Sequence, residues 1–440
     1  MKRFSRIFFV MLILVGTSLQ VFAKDDDRNQ ILKVYNWADY IDESLITEFE
    51  EWYKEQTGED VEVIYQTFDI NEVMLTKIEK GHEDYDVVCP SEYIIERMLR
   101  NNLLLPINKD FGNTPDYTKN VSPYAMEQFG KMSNSVNTND YAVGYMWGTT
   151  GIMYNTAMVT KEEASTWGIL WDPKYESKIL MKDAVRDVYG SIMMYVRQNE
   201  IKSGKTSRSI VMNDGSDDAL KLFEDTMIAA KSNIAGWEVD FGKERMVQGK
   251  AWVNVTWSGD AMWAMDEVGD AVDLDYVVPN EGSNVWFDGW VIPKYAKNTK
   301  AASYFINYMC IPENAIRNME EIGYVSVIAT PEIMDYITDE ELEETINLTY
   351  FFGEGADRVK ASPILYPDAS VIERCALMHD CGDRTEAMLD MWSRIKGDSL
   401  NMGMLIIVAA TIIIIVLLVV VNVVKKSKSK KKRSYSRNRR

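Results

Sequence analysis

The sequence predicts an α/β fold of two lobes with a ligand cleft between them, plus one C-terminal transmembrane helix. Three observations predict it. Apolar β-type runs alternate with helical spacing over the first hundred residues and again through the middle of the chain. No Pro- or Ser-rich linker separates the two runs, so the chain is expected to cross between lobes on short strands. Near the C-terminus, the 18 residues from Met404 to Val421 are broken only by Thr411 among apolar types.

The elements follow in order. Ile31 to Trp37 reads as an apolar strand. Leu45, Ile46, Phe49, Trp52 and Tyr53 recur at helical spacing, with Asp42 and Glu43 ahead of them and Gly58 behind. Val61 to Phe68 is a β-rich strand, Asn71 to Lys80 a helix that stops at Gly81, and Tyr85 to Cys89 a short buried strand ending in Pro90-Ser91. Another helix begins around Ile94. This rhythm argues for a parallel sheet with ligands at the strand C-termini.

Tyr141 to Trp147 and Gly151 to Asn155 read as two strands, and Trp167 to Pro173 as a turn-rich connection. Residues 180–200 and 216–232 read as helical, residues 251–257, 272–279 and 288–293 as strands, and residues 301–310 and 313–320 as helices. The region 331–400 reads as helical with a loop near Leu365-Tyr366-Pro367. The expected organisation is lobe 1 over 28–140, lobe 2 over 141–285, a return to lobe 1 over 286–330 and the C-terminal part of lobe 2 over 331–400.

The two ends carry their own signals. The chain has 67 acidic and 48 basic residues, a net charge of −19, but the charge is segregated. Residues 1–23 hold Lys2, Arg3 and Arg6, an apolar run from Ile7 to Val15 and the small-residue site Val21-Phe22-Ala23, and read as a signal peptide. The last 16 residues hold ten Lys or Arg and no acids. Between these ends 35 basic residues face 67 acids, a net charge near −32. The apolar run, extended to 403–424, would cover roughly 30 Å as a helix, about one bilayer core. The basic tail 425–440 would then be cytoplasmic and residues 24–402 extracytoplasmic, a single-pass location at the cell membrane.

Composition excludes several classes. With 46% hydrophobic residues the chain holds enough apolar material for a sizeable core, so global disorder is excluded. The acidic balance argues against nucleic acid as a partner, because phosphate contacts need Lys and Arg. Two histidines, no metal-ligand spacing, and no Gly-x-Ser-x-Gly, HExxH, phosphate-loop or dinucleotide fingerprint leave no catalytic residue, cofactor or metal to nominate, and the chain is not read as an enzyme. Cys89 and Cys310 fall in buried patterns, whereas Cys375 and Cys381 are near enough for a small disulfide loop, which the sequence leaves open.

Several predicted strands end in an aromatic beside an acid, at Asn36-Trp37-Ala38-Asp39-Tyr40, Ser91-Glu92-Tyr93 and Trp257-Ser258-Gly259-Asp260, and another carries Trp286-Phe287-Asp288. At any one of them the plainer reading is a core ring and a helix-capping acid. Their recurrence at successive strand ends suits an organic cation. Aromatic faces attract ammonium by roughly 0.5–2 kcal/mol each and cover methylenes, while carboxylates offset the desolvated charge.

These motifs, with Tyr85-Asp86-Val87-Val88-Cys89-Pro90, Arg186-Asp187-Val188, Ile322-Gly323-Tyr324 and Leu365-Tyr366-Pro367-Asp368, resemble the spermidine/putrescine-binding proteins of polyamine ABC transporters over about Val34 to Gly382. The resemblance implies a type II-like periplasmic-binding-protein fold. It implies a polyamine ligand, with Trp37 and Trp286 sandwiching its methylenes and Trp257 and Tyr324 as further walls. Tyr40, Ser91 and Tyr93 would line one end, Asp288 would pair an amine and Asp187 would serve the other end. Asp39 and Asp260 look like those of putrescine-preferring members. Ala38, Ala184 and Met378 stand where spermidine-type members carry polar side chains, and a shifted register would let Asp183 and His379 compensate. The implied partners are the polyamine and an ABC permease. A polyamine sensor acting through a membrane partner is the alternative.

Overall fold

The computed structural model describes residues 28–239, 241–269 and 272–397. Strand β1 (Ile31–Trp37) runs parallel to β2 (Glu62–Phe68), from Ile31 opposite Glu62 to Trp37 opposite Phe68. Helix α1 (Ser44–Thr57) connects them and buries Leu45, Phe49 and Tyr53, three positions on one face. Helix α2 (Asn71–Glu79) leads to β3 (Val87–Val88), parallel to β1 on its other side. Helix α3 (Glu92–Arg100) starts directly after Ser91. Trp37 and Ser91 therefore emerge together at the C-terminal ends of parallel strands, where a parallel sheet leaves a crevice.

Strand β4 (Ala142–Asn155) is 14 residues long and buried throughout. The sequence predicts two strands here, interrupted around Gly148. The structure has one, and the glycine marks close approach rather than a break: a Cβ on Gly148 would lie 2.6 Å from the Trp286 ring. In the second lobe come β5 (Ile179–Lys182), β6 (Ile234–Glu238), β7 (Val253–Trp257) and β8 (Leu274–Val277). Strand β9 (Ser283–Pro293) then returns antiparallel to β4, with Trp147 opposite Phe287. The main strand order is β2-β1-β3-β9-β4-β7-β5-β6. The first half of β4 pairs with β9 and its second half with β7 and β8, so β4 and β9 carry the chain between lobes.

Packing follows that division. One core gathers Leu32, Phe49, Val88, Trp147, Phe287 and Phe305. A second gathers Ile152, Trp167, Tyr189, Phe223 and Trp392, with a smaller third around Met153, Leu180 and Tyr276. The helices that matter for the site are α4 (Val185–Val196), α5 (Ser258–Val268), α6 (Pro312–Ile322) and α7 (Thr385–Lys396). The expected 331–400 unit divides between the cores: Ile333, Phe351, Val359 and Tyr366 pack in the first, and Met388, Trp392 and Ile395 in the second. Much of 338–384 is loop rather than helix. All four cysteine thiols are free.

The expected C-terminal membrane helix, and with it the single-pass location at the cell membrane, is corrected here. A bilayer core needs roughly 20 apolar residues in one helix. The two longest described helices have 14 residues and keep charged side chains on an exposed face. Among the described residues no helix is long and apolar enough to cross a membrane. The run 403–424, the tail 425–440 and the segment 1–23 lie outside the described residues. The fold is the two-lobed α/β body.

Candidate functional site

The strand ends of both lobes converge on a cavity of about 330 Å³. All eleven residues nominated from the sequence line it: Trp37, Asp39, Tyr40, Ser91, Tyr93, Asp288 and Tyr324, with Asp187, Trp257 and Asp260, and Trp286, which packs in the second core.

Asp288 is placed by an irregularity in β9. The β4–β9 register shifts between Phe287 and Gly289, and Asp288 bridges to Ser91 instead of to β4. Its two oxygens accept from the hydroxyls of Tyr40 at 2.9 Å and Ser91 at 2.7 Å. Burial pushes its carboxyl up to about 7, and the negative charge of Asp187 adds to this against the pull of the two hydroxyls. Both donors are neutral, so the ionised form carries a full charge in a nearly dry site.

Asp187 lies in the first turn of α4, where the helix dipole favours an anion. One oxygen accepts from the Trp257 indole at 3.0 Å, the Asn284 amide at 3.1 Å and the Thr150 hydroxyl at 3.4 Å. Burial raises this carboxyl as well, partly offset by those donors and by the charge of Lys182. Asp187 is thus a second carboxylate held by neutral groups.

Asp260 is different. The Lys182 ammonium lies 2.9 Å from one oxygen, the Tyr324 hydroxyl donates to the other at 2.8 Å, and Lys243 stands 3.8 Å away. Burial alone would raise its pKa, but the two lysines outweigh it and hold the carboxyl below its ordinary value. Asp260 faces the cavity with its charge already matched.

The walls are aromatic. The Trp37 ring sits 4.5 Å from Phe68, and Trp286 packs edge-on to Tyr324 at 5.7 Å, which in turn meets Tyr40 at 5.3 Å. Gly259 makes room for Tyr324, since a Cβ there would lie 2.5 Å from the ring. The indole N–H groups of Trp37 and Trp286 are buried without a partner in this structure. Asp39 stands exposed at the rim in the left-handed region, φ +51. At the far end Tyr93 donates to Glu72 at 3.2 Å and lies beneath the Arg186 guanidinium, 5.8 Å from the ring centre.

Neither proposed compensating residue opens a new polar subsite. Asp183 also lines the cavity, but one oxygen accepts from the Trp392 indole at 2.7 Å and the other pairs with Lys396 at 2.9 Å. His379 lies outside the lining and pairs with Glu96 at 2.9 Å. Ala38, Ala184 and Met378 do line the cavity.

Sequence reasoning missed Asn71, Asn284 and Lys182. Asn71 donates to Ser91 at 3.0 Å and to Tyr93 at 3.1 Å, and so orients two of the nominated residues. It starts the helix after a β-rich strand, which was the available signal. Asn284 and Lys182 gave none, because their roles depend on cross-strand register.

The model of the bacterial extracellular solute-binding proteins matches residues 44–344. The chain is 27% identical over 399 residues to the spermidine/putrescine-binding periplasmic protein of Salmonella typhimurium, covering 90% of this chain and 99% of that one. It is 28% identical over 319 residues to the putrescine-binding periplasmic protein PotF of Escherichia coli, covering 69% and 80%. Among solved structures, it is similar to the spermidine/putrescine ABC transporter substrate-binding protein PotD of Streptococcus pneumoniae, at 31% identity and a TM-score of 0.60, covering 83% and 98%. Two of these relatives are named as periplasmic proteins.

Proposed function

The chain belongs to the bacterial extracellular solute-binding proteins, and on that premise we propose that it captures a polyamine of the putrescine or spermidine class and delivers it to an ABC permease. The family serves substrate binding in transport and is not an enzyme family. The observation that carries the reading is the pair Asp288 and Asp187. Each is a carboxylate held by neutral donors at a wall of one cavity that three indoles also line.

An alkylammonium meets what it needs there. Each amine gains a charge-assisted hydrogen bond to a carboxylate whose own burial is otherwise unfavourable. The methylenes between amines lie against Trp37, Trp257 and Trp286, gaining about 25 cal/mol per Å² of apolar surface covered. The ligand touches side chains of both lobes, so it favours the closed arrangement over an open one by its differential contacts. That is how a binding event becomes a shape a permease can recognise.

Isothermal calorimetry with putrescine, cadaverine, spermidine, spermine and neutral amino acids tests the reading. Amine binding in the micromolar range or tighter, with no amino-acid binding, is expected. No heat of binding with any amine at millimolar concentration would refute it.

A further inference from the structure

We propose that Lys182 sets the length of ligand the site accepts, because its ammonium occupies from within the protein an amine subsite formed by Trp257, Asp260 and Glu238. The inference rests on the polyamine reading above and extends it to a residue outside the cavity lining.

The Lys182 side chain is fully buried, and its ammonium lies 3.9 Å from the centre of the Trp257 ring. It is 2.9 Å from Asp260 and 3.5 Å from Glu238, and it donates to the carbonyl of Val239. An indole face, two carboxylates and a carbonyl are the groups that would cage an alkylammonium arriving as ligand. Here the alkylammonium is covalently attached. The cage also shares walls with the cavity: Trp257 and Asp260 line both, and the Trp257 indole N–H reaches Asp187.

The consequence is a matter of charge. Asp187 and Asp288 meet an incoming ligand with neutral donors, whereas Asp260 already faces Lys182 and Lys243. A third amine directed at Asp260 would meet two positive charges in a poorly solvated place. A ligand with two amines matches Asp187 and Asp288, whereas Asp183 pairs with Lys396 and Glu72 lies at the far end within the field of Arg186 and Arg97. The strand register contributes: Met181 on β5 lies opposite Val255 on β7, so Lys182 ends its strand level with Thr256, next to Trp257, and its ammonium reaches that ring.

The test is Lys182→Ala, which removes the four heavy atoms that n-propylammonium would restore. Two results are expected together. The ratio of spermidine to putrescine affinity rises at least about tenfold over the parent protein, about 1.4 kcal/mol. Millimolar n-propylammonium raises the melting temperature of the variant and leaves that of the parent unchanged. The double variant Lys182→Met with Asp260→Asn, which has a less acidic cage, shows neither effect. If Lys182→Ala does not fold alone, it is refolded with n-propylammonium present, and failure to fold then overturns the proposal. An affinity ratio within twofold of the parent, or no response to n-propylammonium, also overturns it. Should the parent bind no amine at all, the polyamine reading fails instead, and the thermal response still decides the nature of the cage.

Discussion

Tyr324 of the first lobe donates a hydrogen bond of 2.8 Å to Asp260 of the second. Tyr324 follows α6 and immediately precedes Val325, which pairs with Trp147 on β4. Asp260 lies in the first turn of α5. The bond therefore spans the cleft at the edge of the cavity, and its acceptor is kept ionised by Lys182. A hydrogen bond to a charged group contributes about 1.5–3 kcal/mol. Tyr324→Phe keeps the ring against Trp286 and Tyr40 and deletes this bond. Putrescine affinity should fall about tenfold, chiefly through faster dissociation measured by stopped-flow fluorescence, with the melting temperature of the empty protein little changed.

The elevated carboxyl of Asp288 makes ligand affinity depend on pH. Its value in the folded protein is about 7, against about 4 for an ordinary aspartate. Binding an ammonium needs the ionised form, so affinity should fall as pH drops below 7, and at pH 6 binding should release close to one proton. The same shift acts on folding with the opposite sense. Between about pH 4 and 7 the folded state retains a proton that the unfolded chain has lost, so the empty protein loses stability as pH rises through that window. The loss is complete above pH 7. Burial pushes Glu92 and the Cys89 thiol, both close by, well above their ordinary values. Glu238 is also near 7, but Lys182 stands between it and the ligand site. Calorimetry at pH 6 in buffers of different ionisation heat measures the proton release, which Asp288→Asn should reduce to the share of Asp187, also raised by burial, while lowering affinity at pH 8 by at least about 30-fold.

The line between what could and could not be read from sequence follows the range of the forces involved. Trp37 and Trp257 were legible because each ends a strand whose apolar pattern is local, and Trp286, inside β9, because a ring beside an acid recurs there. Asp260 was legible as a cavity residue but not as a paired one. Its partner Lys182 closes the run Ile-Leu-Met-Lys, four buried residues with no alternation to set them apart from the helix that follows. The β5–β7 register, a contact between segments more than seventy residues apart, decides that pairing. The same limit applies to 331–377. Isolated apolar residues in loops pack on the first core, and no periodic pattern announces which core they join.

Gly259 offers a test of the walls that leaves every polar group in place. A Cβ at this position would lie 2.5 Å from the Tyr324 ring, closer than real carbon contacts allow. The ring sits in the cleft and cannot yield without losing its packing on Trp286 or its bond to Asp260. Gly259→Ala should therefore displace Tyr324 and reduce putrescine affinity by about tenfold or more, while helix propensity within α5 improves slightly. Unchanged affinity measured by calorimetry would show that Tyr324 is not a wall of the occupied site.

A second set of contacts spans the cleft at its rim, away from the cavity. Glu96 on α3 accepts from the ring of His379 at 2.9 Å and from the backbone N–H of Asp380 at 3.1 Å through one oxygen. Arg100, one helical turn on, forms an ion pair with Asp380, and Arg97 reaches Thr385 at 3.4 Å. The partners belong to the segment that leads into α7, which packs in the second core. This rim joins the lobes without touching the cavity, so it should act on the opening of the cleft and not on ligand recognition. Glu96→Ala removes the oxygen shared by two donors and should speed putrescine dissociation by about three- to tenfold. Association rate and the preference among amines should stay as in the parent protein. Stopped-flow kinetics gives the first two quantities and competition calorimetry the third. A variant whose amine preference shifts along with its dissociation rate would place Glu96 in recognition and contradict the division of labour between rim and cavity.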